Sequence, residues 1–463
     1  MNQDRTKTEK RWAFMRNVAK IAVPISLQSL IASSLSIIDQ MMIGSLGEAT
    51  VAGVGVGSRL PFIFIMVVFG LTSATGIYAA QYFGKKDMEK IETVVGTTLW
   101  LGVPVVGIFF ALSFFTPGAV ARLFIGDAQV IEQSMLYMRY MAIGFFPLFI
   151  VQSYNAVLRS THHVKLPMTA GLISFFLNTV LNYLLIFGKF GLPEMGIAGA
   201  ALATTLSRFA EMSIILFFVY SRQLPGAVMG RGLLSADRQF VKAFLMTGMP
   251  LLVNEFLWSV NESVYVGIYG HMGTEQAAAM TMTFPIQSFS IAFFVGISSA
   301  AMIVLGNLIG EGREEEAYAV SFRFVSIGIV GAVLIGVVIV LLSPFYGRMF
   351  QIEPETRTYF EWLVRVFALF LFVKVSNMII GGGVLRSGGQ TKLSLYLDLA
   401  GGWLIGIPLG LLTAWVFKLP VYGVYFCISL EEVFRLAIGF RWMKKRIWIK
   451  DITGSEALPS ESC

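Results

Sequence analysis

The stretch FGLTSATGIYAAQYFGKKD at residues 69–87 recurs, without a gap, as VGISSAAMIVLGNLIGEGR at residues 295–313. The two copies lie 226 residues apart, and this shift places identical residues on each other. The identical pairs include Gly70 and Gly296, Ser73 and Ser299, and Gly84 and Gly310. A long repeat of this kind indicates that one structural unit occurs twice in the chain.

The match continues on both sides of this stretch. Upstream, the same shift pairs Pro24 with Pro250. Downstream, the shift becomes 227, and Leu-Arg-Ser at 158–160 falls on Leu-Arg-Ser at 385–387. We therefore predict an N-terminal lobe at 1–220, a cytoplasmic linker at 221–243 and a C-terminal lobe at 244–463.

The composition is that of a membrane protein. Of the 463 residues, 56% are hydrophobic and only 14% are charged, whereas a soluble protein carries roughly a quarter charged residues. The apolar residues come in runs of about 20, the length at which a helix crosses the hydrocarbon core of a bilayer. We therefore predict an all-α polytopic membrane protein.

The apolar runs predict twelve transmembrane helices, six in each repeat. Because six is even, both repeats enter the membrane from the same side, which makes them parallel repeats of the kind found in secondary transporters. The predicted spans are 18–43, 52–80, 93–115, 134–157, 167–188, 195–219, 244–269, 277–305, 320–343, 360–385, 394–417 and 421–443.

The distribution of Lys and Arg predicts the orientation, because cytoplasmic loops are enriched in both residues. With the N-terminus inside, few of the 35 Lys and Arg fall in the outer loops. Those few are Arg122, Lys189, Arg348, Arg357 and Lys418. Both termini are therefore predicted to be cytoplasmic. The net charge of +7 is a topology signal and does not indicate nucleic-acid binding.

No motif of a soluble enzyme is present. The chain has no Walker A sequence for ATP hydrolysis, and its 3 His and 2 Cys do not show the spacing of zinc ligands. We therefore expect a protein that is not an enzyme and that needs no cofactor, with H⁺ or Na⁺ as the only bound ion.

Asp39 is the one carboxylate in the apolar stretch IASSLSIIDQMMIG at 31–44. An ionisable group inside a membrane span is costly and is by default a functional-site hypothesis. At 1.5 Å per residue, Asp39 lies about 22 Å beyond Pro24, in the outer half of the first span. It is predicted to bind a coupling proton or cation, and the alternative is a solvated acid near the outer helix end.

Asn178 and Asn182 lie four residues apart, which places them on one face of the fifth span. They are predicted to form a polar network that responds to the acid of the first span, together with Thr204, Thr205 and Tyr78. Plain hydrogen bonding between helices is the alternative.

The seventh span carries an Asn-Glu pair twice, at 254–255 and at 261–262. Because the pairs are seven residues apart, they lie close to one face of a helix. Such a polar stripe does not suit a lipid-facing surface and is predicted to face a cavity in the second half. Its candidate coupling acids are Glu255 and Glu262, and its candidate cavity residues are Asn254 and Asn261. A structural stripe between helices is the alternative.

Other charges lie within the remaining spans. Asp398 in the eleventh span is a further candidate coupling acid, unless it only pairs with Lys392 of the preceding loop. Lys374 in the tenth span either pairs with one of these acids or extends toward the interface. Two local ion-pair groups are predicted. One consists of Arg208 and Glu211, and the other consists of Glu431, Glu432 and Arg435.

Methionine and phenylalanine are abundant, with 22 and 39 residues. Methionine recurs on surfaces that accept many ligands, and aromatic rings attract cations. Met41, Met280 and Met282 are therefore predicted to line a substrate cavity for flat lipophilic cations, together with Tyr78. Ordinary packing is the alternative for each of them.

The two six-span halves, the first span VPISLQSLIASSLSIIDQMMIGSLG at 23–47 and the paired Leu-Arg-Ser turns resemble the MATE family. These are multidrug and toxic compound extrusion transporters, and the resemblance covers nearly the whole chain. It implies a bacterial inner-membrane protein that exports lipophilic, mostly cationic compounds against an inward flow of H⁺ or Na⁺.

The resemblance also assigns site residues. Asp39 matches the first-span Asp that serves the family as an ion site, and Asn178 and Asn182 fall where the family places its fifth-helix partners. One branch of the family has Asp where this chain has Asn182. The seventh-span Glu of the best-known branch falls at Trp258, not at Glu255 or Glu262. The sequence Asn-Glu-Phe-Leu-Trp-Ser at 254–259 instead resembles a bacterial branch for which Glu255 is the favoured cavity acid. The coupling ion therefore stays open between H⁺ and Na⁺.

The sequence therefore predicts a monomeric antiporter, surrounded by membrane lipid, that exports drugs by alternating access. A related alternative is a flippase for lipid-linked oligosaccharides, which would need several Lys or Arg to hold pyrophosphate, whereas here more acids lie within the spans. A receptor or scaffold without transport activity is a third class, and the acids in the paired halves argue against it.

Overall fold

The computed structural model describes residues 2–44, 46–228, 236–348 and 353–454, and over these ranges the chain forms helices and no strand. The helices of the first half are α1 (Asn2–Gly44), α2 (Glu48–Gly57), α3 (Arg59–Gly84), α4 (Met88–Phe115), α5 (Pro117–Arg122), α6 (Ala128–Ala142), α7 (Phe145–Ser160), α8 (Lys165–Phe187) and α9 (Gly196–Ser221). Those of the second half are α10 (Arg238–Gly270), α11 (Thr274–Gly310), α12 (Glu314–Arg348), α13 (Pro354–Met378), α14 (Thr391–Gly401), α15 (Ile407–Leu411) and α16 (Val421–Lys444).

Most of these helices are membrane spans by length and composition. In the described part of the chain, ten helical segments are long and apolar enough to cross a bilayer, and the bent pair α6 and α7 adds an eleventh. α16 has 24 residues, about 36 Å of helix, and it differs from the others because it carries Glu431, Glu432 and Arg435. The predicted all-α polytopic fold is confirmed, with α16 as the twelfth span.

The second and fourth spans, predicted as single helices, are each broken into two. α2 ends at Gly57 and α3 begins at Arg59, whereas α6 and α7 meet at an angle of 51°. Pro147 lies in the first turn of α7, where its missing N–H removes no helical hydrogen bond. The break therefore falls just before Pro147, which is tolerated at the start of a helix but would disrupt a helix interior.

Three π-helical segments interrupt the tenth and eleventh spans. They are Ile379–Leu385 after α13, Gly402–Gly406 between α14 and α15, and Leu412–Val416 after α15. Two of them coincide with glycine-rich sequence, because the first contains Gly-Gly-Gly and the second is bounded by Gly. π-Helical turns are rare and occur frequently at functional sites.

The chain forms two compact units. One consists of Leu27–Gly248, and the other combines Met1–Ser26 with Met249–Cys463. The chain therefore passes from one unit to the other inside the continuous helices α1 and α10, not within the predicted linker. The units share most of their residues with the predicted lobes 1–220 and 244–463.

The predicted linker at 221–243 is longer than the connection in the structure. α9 ends at Ser221 and α10 begins at Arg238, so residues 238–243 are helical. Ala227 and Val228 are buried, and residues 229–235 lie outside the described residues. The apolar face of 238–248 explains the extended helix, because Phe240 and Phe244 pack against Tyr78.

The glycines of the repeated stretch lie where helices approach closely. A Cβ atom on Gly296 of α11 would overlap the carbonyl oxygen of Ala22 and the hydroxyl of Ser26 in α1. In the other unit, a Cβ atom on Gly248 of α10 would lie 3.2 Å from the carbonyl oxygen of Gly70, the repeat partner of Gly296. The recurrence of glycine at 70 and 296 thus reflects the same kind of helix crossing in each unit.

Candidate functional site

Asp39 of α1 lies against two asparagines of α8. Asn182 donates a hydrogen bond from Nδ2 to Asp39 Oδ1 at 2.6 Å. With its amide turned so that Nδ2 faces the carboxylate, Asn178 donates to the same oxygen at 3.1 Å and accepts from Thr204 Oγ1 at 3.3 Å. Both asparagines are almost fully buried, at 1% exposure. The structure therefore brings together the acid and both predicted amides.

The wider network predicted around this acid is only partly present. Thr204 belongs to it, but Thr205 donates to the carbonyl oxygen of Tyr140 at 3.0 Å. Tyr78 lies in an aromatic group with Phe240 and Phe244, at ring-centroid distances of 5.5 and 5.8 Å. The prediction that Thr205 and Tyr78 belong to the Asp39 network is therefore corrected, because both side chains are directed to other partners.

Arg208 and Glu211 of α9 form the predicted local ion pair. Their charged atoms are 3.0 Å apart, and the Glu211 side chain is 4% exposed whereas that of Arg208 is 35% exposed. A buried carboxylate requires a partner of opposite charge. Glu211 is therefore part of the local structure and is not a second candidate ion site in this half.

The second half contains a cavity of about 780 Å³, including the space at its mouth. Residues from α10, α11, α13, α14, α16 and the π-helical segment Gly402–Gly406 line it. Of the predicted residues, Asn254, Asn261, Glu262, Met280 and Asp398 are among them. Its aromatic lining consists of Trp258, Tyr265, Tyr269, Phe284, Trp403 and Tyr425.

Not all predicted cavity residues belong to this lining. Met41 is 73% exposed in α1 and lies in the other unit, as does Tyr78. Met282 is on α11 close to Met280 but does not line the cavity. Residues two apart on a helix point about 200° apart, so Met280 and Met282 cannot face the same space.

Glu432 pairs with both basic side chains of the cavity. Lys374 Nζ lies 3.1 Å from Glu432 Oε1, and Arg435 lies 3.4 Å from Glu432 Oε2. Asn377 donates to Glu432 Oε2 at 2.7 Å. The predicted pairing of Lys374 with an acid is confirmed, and Glu432 is an acid whose charge is fully balanced.

Asp398 of α14 is bound from two other helices. Asn254 Nδ2 of α10 donates to its Oδ2 at 2.7 Å, and Arg435 of α16 forms an ion pair with its Oδ1. The alternative of a pair with Lys392 is therefore wrong for this conformation. The reason is the helical register, which turns Asp398 toward α10 and α16.

Glu431 accepts a hydrogen bond from the Tyr265 hydroxyl at 2.5 Å. This contact depends on glycine at position 406, because a Cβ atom there would overlap both the hydroxyl and the carboxylate. Tyr265 is the repeat counterpart of Asp39 at the shift of 226. Neither Tyr265 nor Glu431 was a predicted site residue. The repeat relation of Tyr265 to Asp39 is the sequence feature that could have identified Tyr265.

Glu262 differs from the other carboxylates of the cavity. Within the described residues it makes no hydrogen bond and no ion pair. Four carboxylates line the cavity against the two bases Lys374 and Arg435. When all six groups are ionised, the cavity carries two negative charges in excess, and a proton or a bound cation must offset them.

Glu255 does not line this cavity, although the sequence places it seven residues from Glu262. Its Oε1 lies 3.5 Å from the guanidinium of Arg386, in a pair whose side chains are 23% and 14% exposed. Asn254, the preceding residue of α10, does line the cavity. Consecutive helical residues point about 100° apart, so Glu255 faces Arg386 and not the cavity. The expectation that Glu255 is the favoured cavity acid is corrected accordingly.

Comparison with known proteins agrees with this fold. The family model MatE matches residues 24–184 and 250–412, and the two matches begin 226 residues apart, the shift of the internal repeat. The probable multidrug resistance protein NorM of Thermotoga maritima is 22% identical over 435 residues, which cover 94% of this chain and 93% of that protein. The probable multidrug resistance protein YoeA of Bacillus subtilis is 26% identical over 461 residues, which cover 96% and 97%.

Solved structures show the same fold. One is described as the outward-facing conformation of a multidrug resistance MATE family transporter of the MOP superfamily. It has a TM-score of 0.86 at 19% identity, and the match covers 93% of this chain and 95% of that one. Because the family model matches both repeats and well over half of the residues, the chain belongs to the MatE family.

Proposed function

We propose that the protein exports lipophilic, mostly cationic drugs in exchange for inward H⁺ or Na⁺. The observation that carries this proposal is the cavity of the second half, where aromatic side chains surround an excess of carboxylates. Aromatic faces attract cations, and a desolvated acid adds a specific charge partner. The printed names of the relatives, multidrug resistance proteins, support the same class of cargo.

In the first half, Asp39 is the coupling site of the proposal. A proton would bind the carboxylate itself. Na⁺ would be held by the Asp39 oxygens, and the amide oxygens of Asn178 and Asn182 would join them once both amides rotate from their present donor orientation. Carboxylate and carbonyl oxygens suit hard cations. The cluster therefore serves either ion, and no further cofactor is required.

In the second half, Glu262 is the proposed contact for the cationic drug or a second coupling proton. Among the described residues its carboxylate makes no hydrogen bond and no ion pair, whereas Asp398, Glu431 and Glu432 are each bound by a neighbouring side chain. Export by alternating access requires that ion and drug bind the two states of the protein unequally. A carboxylate that either ligand can neutralise supplies that difference.

The flippase alternative finds less support. Pyrophosphate recognition needs free basic side chains, and both bases of the cavity are bound to carboxylates, Lys374 to Glu432 and Arg435 to Asp398. The Lys and Arg distribution favours cytoplasmic termini, and the bacterial relatives favour a location in the inner membrane. We propose a monomer in membrane lipid.

The test is ion-driven efflux of ethidium from proteoliposomes, with a Na⁺ gradient compared with a proton gradient. One gradient is expected to drive efflux in the parent protein, and Asp39→Asn and Glu262→Gln are expected to reduce it at least about tenfold, as loss of a functional intramembrane charge does. Glu89→Gln, an exposed acid of α4, is the matched control. Absence of efflux under both gradients in the parent would reject the exporter.

A further inference from the structure

The paired Leu-Arg-Ser turns have no role in the sites described above. Both arginines lie where the fourth span of a repeat ends, Arg159 in the last turn of α7 and Arg386 directly after the π-helical segment Ile379–Leu385. Neither is in contact with Asp39 or lines the cavity of the second half. Their repetition at the shift of 227 therefore requires another explanation.

Each arginine reaches the first helix of its own repeat. Arg159 Nη2 donates to Gln28 Oε1 of α1 at 2.5 Å. Arg386 Nη2 lies 3.5 Å from Glu255 Oε1 of α10. At the shift of 226, Glu255 corresponds to Ser29, the residue next to Gln28. In each half, the arginine thus binds an acceptor on the first helix, and the two acceptors differ by one position in the repeat alignment. The acceptor is an amide in the first half and a carboxylate in the second.

Both contacted helices carry a candidate site farther along. Asp39 lies 11 residues beyond Gln28, about 16 Å along α1, and Glu262 lies seven residues beyond Glu255, about 10 Å along α10. Gln28 also donates to the carbonyl oxygen of Pro167 at 3.4 Å. Pro167 belongs to α8, the helix that carries Asn178 and Asn182. Gln28 therefore connects Arg159 to both helices of the Asp39 site.

The arginine fork suits this connection. A guanidinium presents several donors in a fixed plane and stays charged in a poorly solvated site. Removing the partner of a buried charge is strongly destabilising, because the remaining group keeps its desolvation cost without compensation. The first helices are therefore held firmly at these two points.

We infer that Arg159 and Arg386 are positioning residues that hold the first helix of each repeat in register with the helices around its ion site. Glu255 belongs to this clamp and is not a coupling acid. The inference rests on the proposed function for its effect on export, whereas the clamp itself is a structural property that a second measurement tests directly.

The first test separates a clamp from a coupling acid at Glu255. Gln at 255 still accepts from Arg386, as Gln28 does from Arg159, so Glu255→Gln is expected to keep efflux within about twofold and to keep the ion dependence of the parent. Glu255→Leu removes the acceptor and is expected to reduce efflux about tenfold or more. If Glu255→Gln loses ion-driven efflux as Glu262→Gln does, the clamp assignment of Glu255 is overturned.

The second test measures the helix and not transport. Hydrogen exchange of peptides from 27–44 is expected to be about tenfold faster in Arg159→Met than in the parent, whereas Arg159→Lys keeps a donor and restores much of the protection. Arg139→Met, which removes an exposed arginine of α6, is the control and is expected to leave exchange unchanged. Unchanged protection in Arg159→Met would overturn the inference.

The two proposals fail in different ways. A parent protein that shows no efflux under either gradient rejects the exporter but leaves the exchange experiment fully informative. Normal efflux in the parent together with normal exchange in Arg159→Met rejects the clamp and leaves the exporter intact.

Discussion

At the scale of single residues, the two halves use one helix position in opposite ways. Asp39 is the acceptor at this position and is bound by the amide of Asn182 at 2.6 Å. Its repeat counterpart Tyr265 is the donor and binds the acid Glu431 at 2.5 Å. The duplicated scaffold thus keeps a polar contact at the equivalent point, while the carboxylate moves from the first helix of the repeat to the last.

The Asn182 amide is expected to set the strength of ion binding at Asp39. A hydrogen bond to a charged group contributes about 1.5–3 kcal/mol. Because the Asn182 amide stabilises the unprotonated carboxylate, Asn182→Ala is expected to tighten the apparent affinity for a coupling proton by about tenfold to a hundredfold. The dependence of ethidium efflux on ion concentration in proteoliposomes measures this affinity.

Thr205→Val provides the control for Asn182. Thr205 is a buried neighbour in sequence of Thr204, but its hydroxyl donates to the carbonyl oxygen of Tyr140 and not to the Asp39 group. Its replacement is expected to leave the apparent ion affinity unchanged. Equal changes of apparent affinity in Asn182→Ala and Thr205→Val would contradict the assignment of the Asn182 contact to ion binding.

At the scale of elements, the π-helical segment Gly402–Gly406 shapes the cavity. It places Gly406 against Tyr265 of α10 and Glu431 of α16. An extra residue per turn widens a helix locally and turns the following side chains to a different side. The eleventh span lines the cavity with Gly402, with the side chains of Leu399 and Trp403, and with the carboxylate of Asp398.

A side chain at Gly406 is expected to disrupt this arrangement. Gly406→Ala places a methyl group onto the Tyr265 hydroxyl and the Glu431 carboxylate, and overpacking of this kind costs about 1–3 kcal/mol. The midpoint of thermal unfolding in detergent is expected to fall, together with ethidium binding. Both are measured on the same purified sample.

The matched control for Gly406 is Gly381→Ala. Gly381 also lies in a π-helical segment, Ile379–Leu385, but no atom lies within 4 Å of a Cβ atom built there. Its replacement is expected to leave stability and binding close to those of the parent. If both alanine variants are equally destabilised, the effect belongs to π-helical glycines in general and not to the Tyr265–Glu431 contact.

At the scale of the whole molecule, the sequence was sufficient for the spans and the duplication. Runs of about 20 apolar residues and a repeat shift of 226 to 227 residues require no knowledge of tertiary packing. The predicted twelfth span at 421–443 agrees with α16 (Val421–Lys444), although that helix carries three charges in its middle. Asp39 with Asn178 and Asn182 was also predictable, because helical spacing places the two amides on one face.

The cavity of the second half was less predictable, for a physical reason. Periodicity shows which residues share a face of one helix, but the partner of that face depends on the packing of other helices. Glu431, Glu432 and Arg435 therefore look like a local ion-pair group in sequence. The pair of Glu432 with Arg435 is present at 3.4 Å, but Glu431 bonds to Tyr265 of α10 and Glu432 also pairs with Lys374 of α13. The π-helical turns add a shift of register that an apolar pattern does not encode.

The division into two units leads to a final expectation about how the sites combine. All described hydrogen-bond partners of Asp39 lie within Leu27–Gly248, whereas Glu262 and the groups around it lie within Met249–Cys463. Changes at sites without shared partners usually add within about 0.3–0.5 kcal/mol. In the double variant Asp39→Asn with Glu262→Gln, the loss in ethidium binding free energy measured by calorimetry is therefore expected to be the sum of the two single losses.

Efflux is expected to behave differently from binding. Because export requires both sites in one cycle, each single variant is expected to lose most of its efflux. A coupling energy above about 1 kcal/mol in the binding cycle would instead mean that the two sites influence each other before any transport step.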